Sequence, residues 1–314
     1  MRPAGARARA PMSRWRRYGL WTTSLVVAAV VGTSGLVTRA RAHELITNPR
    51  ATRHLPTRTP ADYGMPFEEA TVTTSDGLNL VGWFVPSGNG ASIILVHGYK
   101  DHRGSMLKLA DVLHRHGYGL LILSVRAHDG SDGELITFGH AEMKDLEAWY
   151  TYESGHAGVD TNEIGIFGGS MGGSLAIQYA ARNPRIAAVV ADCAFSSLND
   201  TVDTSVKFFT GLPAFPFAPM IVFWTEHEAG FQAGEIDAKQ WIRHIAPRPI
   251  FLLQGGADVV VSRESGQRLF EAAGEPKELW YDAEVGHAQF LDKRPEEFER
   301  RVVAFYDKNL RHMQ

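Results

Sequence analysis

The sequence predicts an α/β protein, a mostly parallel sheet of eight strands with helices on both faces. Three observations predict it. Apolar runs of strand length alternate with helix-period stretches, the pattern of βαβ crossovers. A glycine-rich stretch, Ile164-Gly-Ile-Phe-Gly-Gly-Ser170-Met-Gly-Gly-Ser-Leu-Ala176, joins one such run to a helix-forming segment. No internal repeat or long low-complexity tract divides residues 67–314. With 44% hydrophobic and 21% charged residues among 314, the composition is globular and supplies a large core.

The chain opens on a different kind of segment. Arginines at positions 2, 7, 9, 14, 16 and 17 precede 21 uncharged residues, Tyr18 to Thr38, enough to cross a bilayer with the basic flank on the cytoplasmic side. Ala40-Arg41-Ala42 offers small residues where a signal peptidase reads, but Arg39 and Arg41 crowd that cut. Residues 1–42 are therefore expected to be a membrane anchor, or alternatively a cleaved signal. Either way, the rest of the chain is expected outside the cytoplasm. Residues 43–66, rich in Pro, Thr and Arg without periodicity, read as a linker.

From Phe67 the pattern becomes regular. Glu69–Thr74 and Asn79–Val85 flank Ser75-Asp-Gly-Leu78 and predict an antiparallel hairpin. Strands are then expected at Ala91–His97, Gly119–Ser124, Glu163–Phe167, Ala187–Ala191, Ile250–Gln254 and Glu278–Tyr281. Helices are expected at Ser105–His116, Gly139–Tyr150, Met171–Asn183, Arg263–Ala273 and Pro295–Leu310. Residues 196–240 break the rhythm with aromatic and proline-rich runs. They suit a short lid or pocket insertion, or a loosely helical packing element, and Phe208, Phe209, Phe217 and Trp224 are its candidate substrate-binding residues.

Charge narrows the function classes. Residues 1–50 hold nine arginines and one acid, leaving 23 basic and 34 acidic side chains and a net of −11 for residues 51–314. That balance argues against a nucleic-acid partner for the folded part, because phosphate binding needs a basic face. A single cysteine, Cys193, excludes an internal disulfide. No HExxH motif or Cys/His cluster calls for a metal, and no cofactor is expected.

The chemistry-bearing residues fall at predicted strand ends. Gly168-x-Ser170-x-Gly172 sits between strand and helix, where a sharp turn exposes a serine hydroxyl. Asp258 lies in the glycine-rich turn Gln254-Gly-Gly-Ala-Asp258, with Asp192 as the rival acid. His287 follows Gly286 after the last strand and is the candidate base; His97 is too early in the chain and is expected to pin its loop. Ser170, Asp258 and His287 thus form a nucleophile–acid–base series. His97-Gly98-Tyr99 ends the Ser92–Val96 run, so the N–H groups of Tyr99 and Met171 are the candidate oxyanion donors.

From about Phe67 onward this arrangement resembles the α/β-hydrolase superfamily. His97-Gly98-Tyr99, Arg126-Ala-His128 with Gly130-Ser131, Ala246-Pro-Arg-Pro249 and Gly274-Glu-Pro-Lys-Glu-Leu279 resemble its small bacterial esterase-like branch, related to prolyl-oligopeptidase-like serine hydrolases. The resemblance implies an α/β-hydrolase fold for residues 67–314, with residues 196–240 as a short lid-like insertion. It also implies ester or thioester hydrolysis through an acyl-enzyme on Ser170, with a small-molecule ester as substrate. Serine peptidase or amidase activity is the alternative; a membrane-tethered binding protein on a hydrolase fold is the alternative from another class. Nothing in the sequence fixes an oligomeric state.

Overall fold

Apolar runs bounded by turns become eight strands of one sheet in a computed structural model, which describes residues 14–310. The strands are β1 (Glu68–Thr73), β2 (Asn79–Val85), β3 (Ser92–Val96), β4 (Gly119–Leu123), β5 (Ile164–Gly169), β6 (Ala188–Asp192), β7 (Ile250–Gly255) and β8 (Lys277–Asp282). Their spatial order is β1-β2-β4-β3-β5-β6-β7-β8. The expected hairpin forms: β1 pairs antiparallel with β2, in register Glu69 with Trp83. β2 is also antiparallel to β4, and every later pairing is parallel.

A parallel strand covered on both faces reads as an unbroken apolar run, because its alternate side chains serve two cores. Along β3, Ile94 and Val96 join the core on one face while Ile93 and Leu95 join the other. Helices α3 (Glu142–Ser154), α4 (Met171–Arg182), α7 (Ala238–Ile242) and α8 (Ser265–Ala272) cover the first face. Helices α2 (Leu107–Arg115) and α10 (Pro295–Leu310) cover the second, with the short α9 (Phe290–Lys293) beside them.

Some element boundaries depart from the sequence expectation. The helix expected from Gly139 starts at Glu142 instead, because Phe138 and Gly139 both have positive φ, 54° and 125°. The Glu142 carboxylate turns back to accept from the N–H groups of Thr137 and Gly139. The 196–240 stretch is largely helical, the packing-element alternative: α5 (Leu198–Thr210), capped by the Ser197 hydroxyl, then α6 (Ala214–Ala229), broken near its start by extended backbone at Phe215 (φ −97°, ψ 134°). The prolines that suggest irregularity, Pro216 and Pro219, fall in the first turns of α6, where missing N–H groups leave few carbonyls without a donor.

The N-terminal segment is one long helix, α1 (Arg14–Ile46), long and apolar enough to cross a membrane. Arg2, Arg7 and Arg9 lie outside the described residues. The helix runs beyond residue 42 into the stretch expected to be linker, and its last turns bury Thr38, Ala42 and Ile46 against the domain. Beyond it the chain is fastened down. Arg53 donates to the carbonyls of Asn48, Ser131 and Gly133, and Asn48 donates to that of Ala127.

Candidate active site

The topology reverses direction between β3 and β5, and open α/β sheets form a crevice at such a point beyond the strand C-termini. Val96 of β3 lies opposite Gly168 of β5, so the residues two further on, Gly98 and Ser170, meet at the mouth of that crevice. A Cβ on Gly98 would lie 3.5 Å from that of Ser170.

Ser170 stands at the apex of the turn into α4, with φ 56° and ψ −121°, a strained conformation for a residue with a side chain. Its neighbours explain the glycine spacing. A Cβ on Gly168 would collide with the backbone of Gly172, and one on Gly172 with the carbonyl oxygens of Val96 and His97. The turn is tied down by the Ser170 N–H, which donates to the Asp192 carbonyl at 2.7 Å.

Asp258 follows β7 and is 1% exposed. One carboxylate oxygen accepts from the N–H groups of Val260 and Val261, at 2.8 and 2.9 Å. The other lies 2.7 Å from His287 Nδ1. A carboxylate only accepts, so Nδ1 carries the proton and Nε2 is left to face the Ser170 Oγ, also at 2.7 Å. The three expected residues therefore form one connected chain of hydrogen bonds. Among the described residues Asp192, the rival acid, has no bond to His287. One of its oxygens is buried without a partner, and burial pushes its carboxyl up to about 7 against the pull of the Cys193 thiol and the His287 ring.

The two candidate oxyanion donors flank the serine. Met171 begins α4, so its N–H belongs to the first turn, which has no intrahelical acceptor. Among the described residues the Tyr99 N–H has no acceptor either. The loop that carries Tyr99 is held by two buried histidines. His97 Nδ1 donates to the Gly98 carbonyl at 2.8 Å; His128 Nδ1 donates to the Arg126 carbonyl, and its Nε2 accepts from the Lys100 N–H at 3.0 Å. Burial pushes both rings below the usual histidine range, so each stays neutral and keeps its acceptor nitrogen.

Two hollows meet at Ser170. A narrow apolar cavity of about 90 Å³ runs between α1, α5 and α6, walled by Leu45, Ile46, Val206, Phe209, Ile221 and Val222. A broad cleft of about 990 Å³ opens on the other side, with Asp101, Lys108, Glu284, Asp292 and Lys293 on its rim. Tyr99, Ser170, Phe209 and Val260 border both.

Of the four aromatic residues expected at the pocket, Phe209 lines both hollows and Phe208 lines the cleft. Phe217 and Trp224 do not, which corrects the expectation. Helix α6 turns Ile221, Val222 and Thr225 to the cavity, so Trp224 faces α1, where the Arg39 guanidinium lies 5.4 Å over its ring. Phe217 is half-buried elsewhere on the same helix. Leu45 and Ile46 are wall residues the sequence did not reveal, since they lie in an aperiodic stretch far from every motif.

Among the described residues one trio is close enough to share a metal ion: Cys193, Asp258 and His287, with ligand atoms within 4.8 Å. Metal binding needs the thiolate, and burial pushes the Cys193 thiol well above its ordinary value. Asp258 and His287 are meanwhile occupied with each other.

Residues 88–217 match the family model described as "Serine aminopeptidase, S33". The match includes Ser170 and stops short of Asp258 and His287. The chain is 29% identical over 233 residues to the uncharacterized protein Rv2307c of Mycobacterium tuberculosis, covering 72% of this chain and 75% of that protein. It is 26% identical over 242 residues to YqkD of Bacillus subtilis, covering 75% and 78%. Among solved structures it is similar to the Pyrococcus furiosus esterase Pf2001, with a TM-score of 0.72 and 27% identity over 85% of this chain and 99% of that one.

Proposed function

We propose that the chain, whose fold is that of the α/β-hydrolase superfamily, is a serine hydrolase cleaving carboxylic esters of apolar acids through an acyl-enzyme on Ser170. One observation carries this reading: the unbroken series Ser170 Oγ, His287 Nε2, His287 Nδ1, Asp258, with both hydrogen bonds at 2.7 Å.

In this reading His287 Nε2 takes the hydroxyl proton as Ser170 Oγ bonds to the ester carbonyl carbon. The carbonyl oxygen becomes an oxyanion and accepts from the N–H groups of Tyr99 and Met171. Asp258 balances the imidazolium and holds its tautomer. The carbon–oxygen bond to the alcohol then breaks, and the alcohol leaves with the proton from His287. Water enters, gives a proton to His287 and attacks the acyl carbon. Collapse returns the proton to Ser170 Oγ and releases the acid. Thioesters would pass through the same steps.

The two hollows supply the basis for specificity. An apolar cavity next to Ser170 suits an acyl chain, while a wide cleft with charged residues on its rim suits a polar alcohol. The similarity to a P. furiosus esterase supports the same choice. The aminopeptidase description of the matching family model favours a second reading, amide hydrolysis. Matched p-nitrophenyl esters and amino-acid p-nitroanilides separate the two, with esters expected to be the better substrates.

We also read α1 as a retained anchor with the domain outside the cytoplasm, because a cut after Ala42 would remove the buried Thr38 and the Arg39–Glu228 ion pair. The test of the catalytic reading is Ser170→Ala, expected to lower ester turnover by at least about 10³-fold while the fold persists. Ester turnover surviving in that variant would remove Ser170 as the nucleophile.

A further inference from the structure

The same helix that is long enough to cross a membrane also builds the wall of the cavity beside Ser170. The uncharged run of α1 ends at Thr38, and Leu25, Val26, Val30, Val31 and Leu36 are among its outward-facing residues. Leu45 and Ile46, on the cavity wall, come seven and eight residues later on the unbroken helix. At 1.5 Å per residue that is roughly 10–12 Å, about one helical turn beyond a lipid headgroup layer about 5–8 Å deep.

The helix is also bonded to the loop that carries the oxyanion donor. The Tyr99 hydroxyl donates to the Leu45 carbonyl at 2.6 Å, and Lys100 Nζ donates to the Glu44 carbonyl at 2.7 Å. These are last-turn carbonyls, which lack intrahelical donors and carry the negative end of the helix dipole. The lid continues the same surface. Ala42 packs with Val206, Ala218 and Ile221, and Glu228 of α6 pairs with both Arg39 and His43 of α1. Outside that contact Phe208, Phe215 and Phe223 stand exposed, and α5 and α6, meeting at 101°, are together as apolar as a membrane-crossing segment.

We propose that α1 is a working part of the site, and that the substrate is a long-chain ester resident in the bilayer that α1 crosses. Its acyl chain enters the cavity between α1, α5 and α6 directly from the lipid, while the polar alcohol remains in the cleft. The inference rests on the serine hydrolase reading and adds the source and class of the substrate.

The test uses the full chain reconstituted into phosphatidylcholine vesicles. A long-chain acyl ester of a fluorogenic alcohol is placed either in the same vesicles as the enzyme or in separate enzyme-free vesicles, with water-soluble p-nitrophenyl acetate as a second substrate in a third assay. The expected result is turnover of the long-chain ester at least about tenfold faster in the shared vesicles, with the soluble ester hydrolysed in both arrangements. Phe223→Ser, outside the cavity and cleft, is expected to lower only the shared-vesicle rate. Equal long-chain rates in the two arrangements would overturn the inference and leave a hydrolase of dissolved esters. So would soluble-ester turnover with no long-chain turnover at all. Loss of all three activities in folded protein would instead remove the hydrolase reading, and the inference with it.

Discussion

Ser170, His287 and Asp258 hold their positions through neighbours that do no chemistry. The loop of the candidate oxyanion donor has such a neighbour in His128, whose neutral ring accepts the Lys100 N–H at 3.0 Å, one residue after Tyr99. Lys100 has φ 53°, so this loop adopts a strained conformation that depends on outside support. His128→Ala removes the acceptor and is expected to lower kcat by about 10- to 100-fold, part of what losing an oxyanion donor costs. KM should change little, and His128→Gln, which keeps an acceptor, should recover part of the rate. Steady-state kinetics on the three proteins decide it, and an unchanged kcat in His128→Ala would separate the histidine from the oxyanion loop. The proposed triad was legible in the sequence because each of its residues follows an apolar run in a glycine-containing turn. The role of His128 was not, because it depends on a loop distant in sequence folding back over it.

At the scale of elements, the sheet and most helices were legible from periodicity, since both faces of a parallel strand are buried and the apolar run marks its length. What the sequence concealed were elements fixed by tertiary contact. The 196–240 stretch left a pocket insertion and a loosely helical packing element both open because prolines punctuate it, and the end of α1 read as linker because its partners lie in α6 and in the Tyr99 loop. Helices α1, α5 and α6 make the cavity, so the pocket was the least legible part of the site. Two of the four aromatic residues expected there, Phe217 and Trp224, face elsewhere. The cavity leads to a prediction about these elements. Val222→Trp fills space between α6 and Ser170 and is expected to shift the optimum of a p-nitrophenyl ester series toward shorter acyl chains, with long-chain kcat/KM falling about tenfold or more. An unchanged optimum would mean that the acyl group lies in the cleft instead. In α4, Gly172→Ala drives a methyl group into the Val96 and His97 carbonyls, and should lower both stability and activity.

The molecule as a whole carries buried ionisable groups whose pH effects oppose one another. Glu153, at the end of α3, is fully buried; it contacts the Ser92 hydroxyl through one oxygen and leaves the other without a partner. Burial pushes its carboxyl up to about 7 from an ordinary 4.5. The folded state therefore holds a proton that the unfolded chain has released, so the stabilisation is complete below about pH 4.5 and is lost as pH rises through about 7. Glu153→Gln should remove this loss. Its Tm relative to the unsubstituted protein is expected to be several degrees higher at pH 8 than at pH 5, measured in detergent. His97 and His128 act in the opposite sense: their folded values lie below the unfolded 6.5, so stability present above that pH is lost as pH falls beneath it. A thermal-stability profile should accordingly decline on both sides of neutrality. In the Glu153→Gln protein the alkaline limb should become shallower, with buried Asp192 supplying part of what remains, while the acid limb stays.

The central claim is that Ser170 forms a covalent acyl intermediate. Fluorophosphonate labelling of the full chain, with mass mapping of the modified peptide, tests it most directly. The account predicts one adduct per chain, on Ser170, absent from Ser170→Ala and blocked by prior incubation with ester. No adduct on folded protein, or an adduct on another residue that persists in Ser170→Ala, would contradict it.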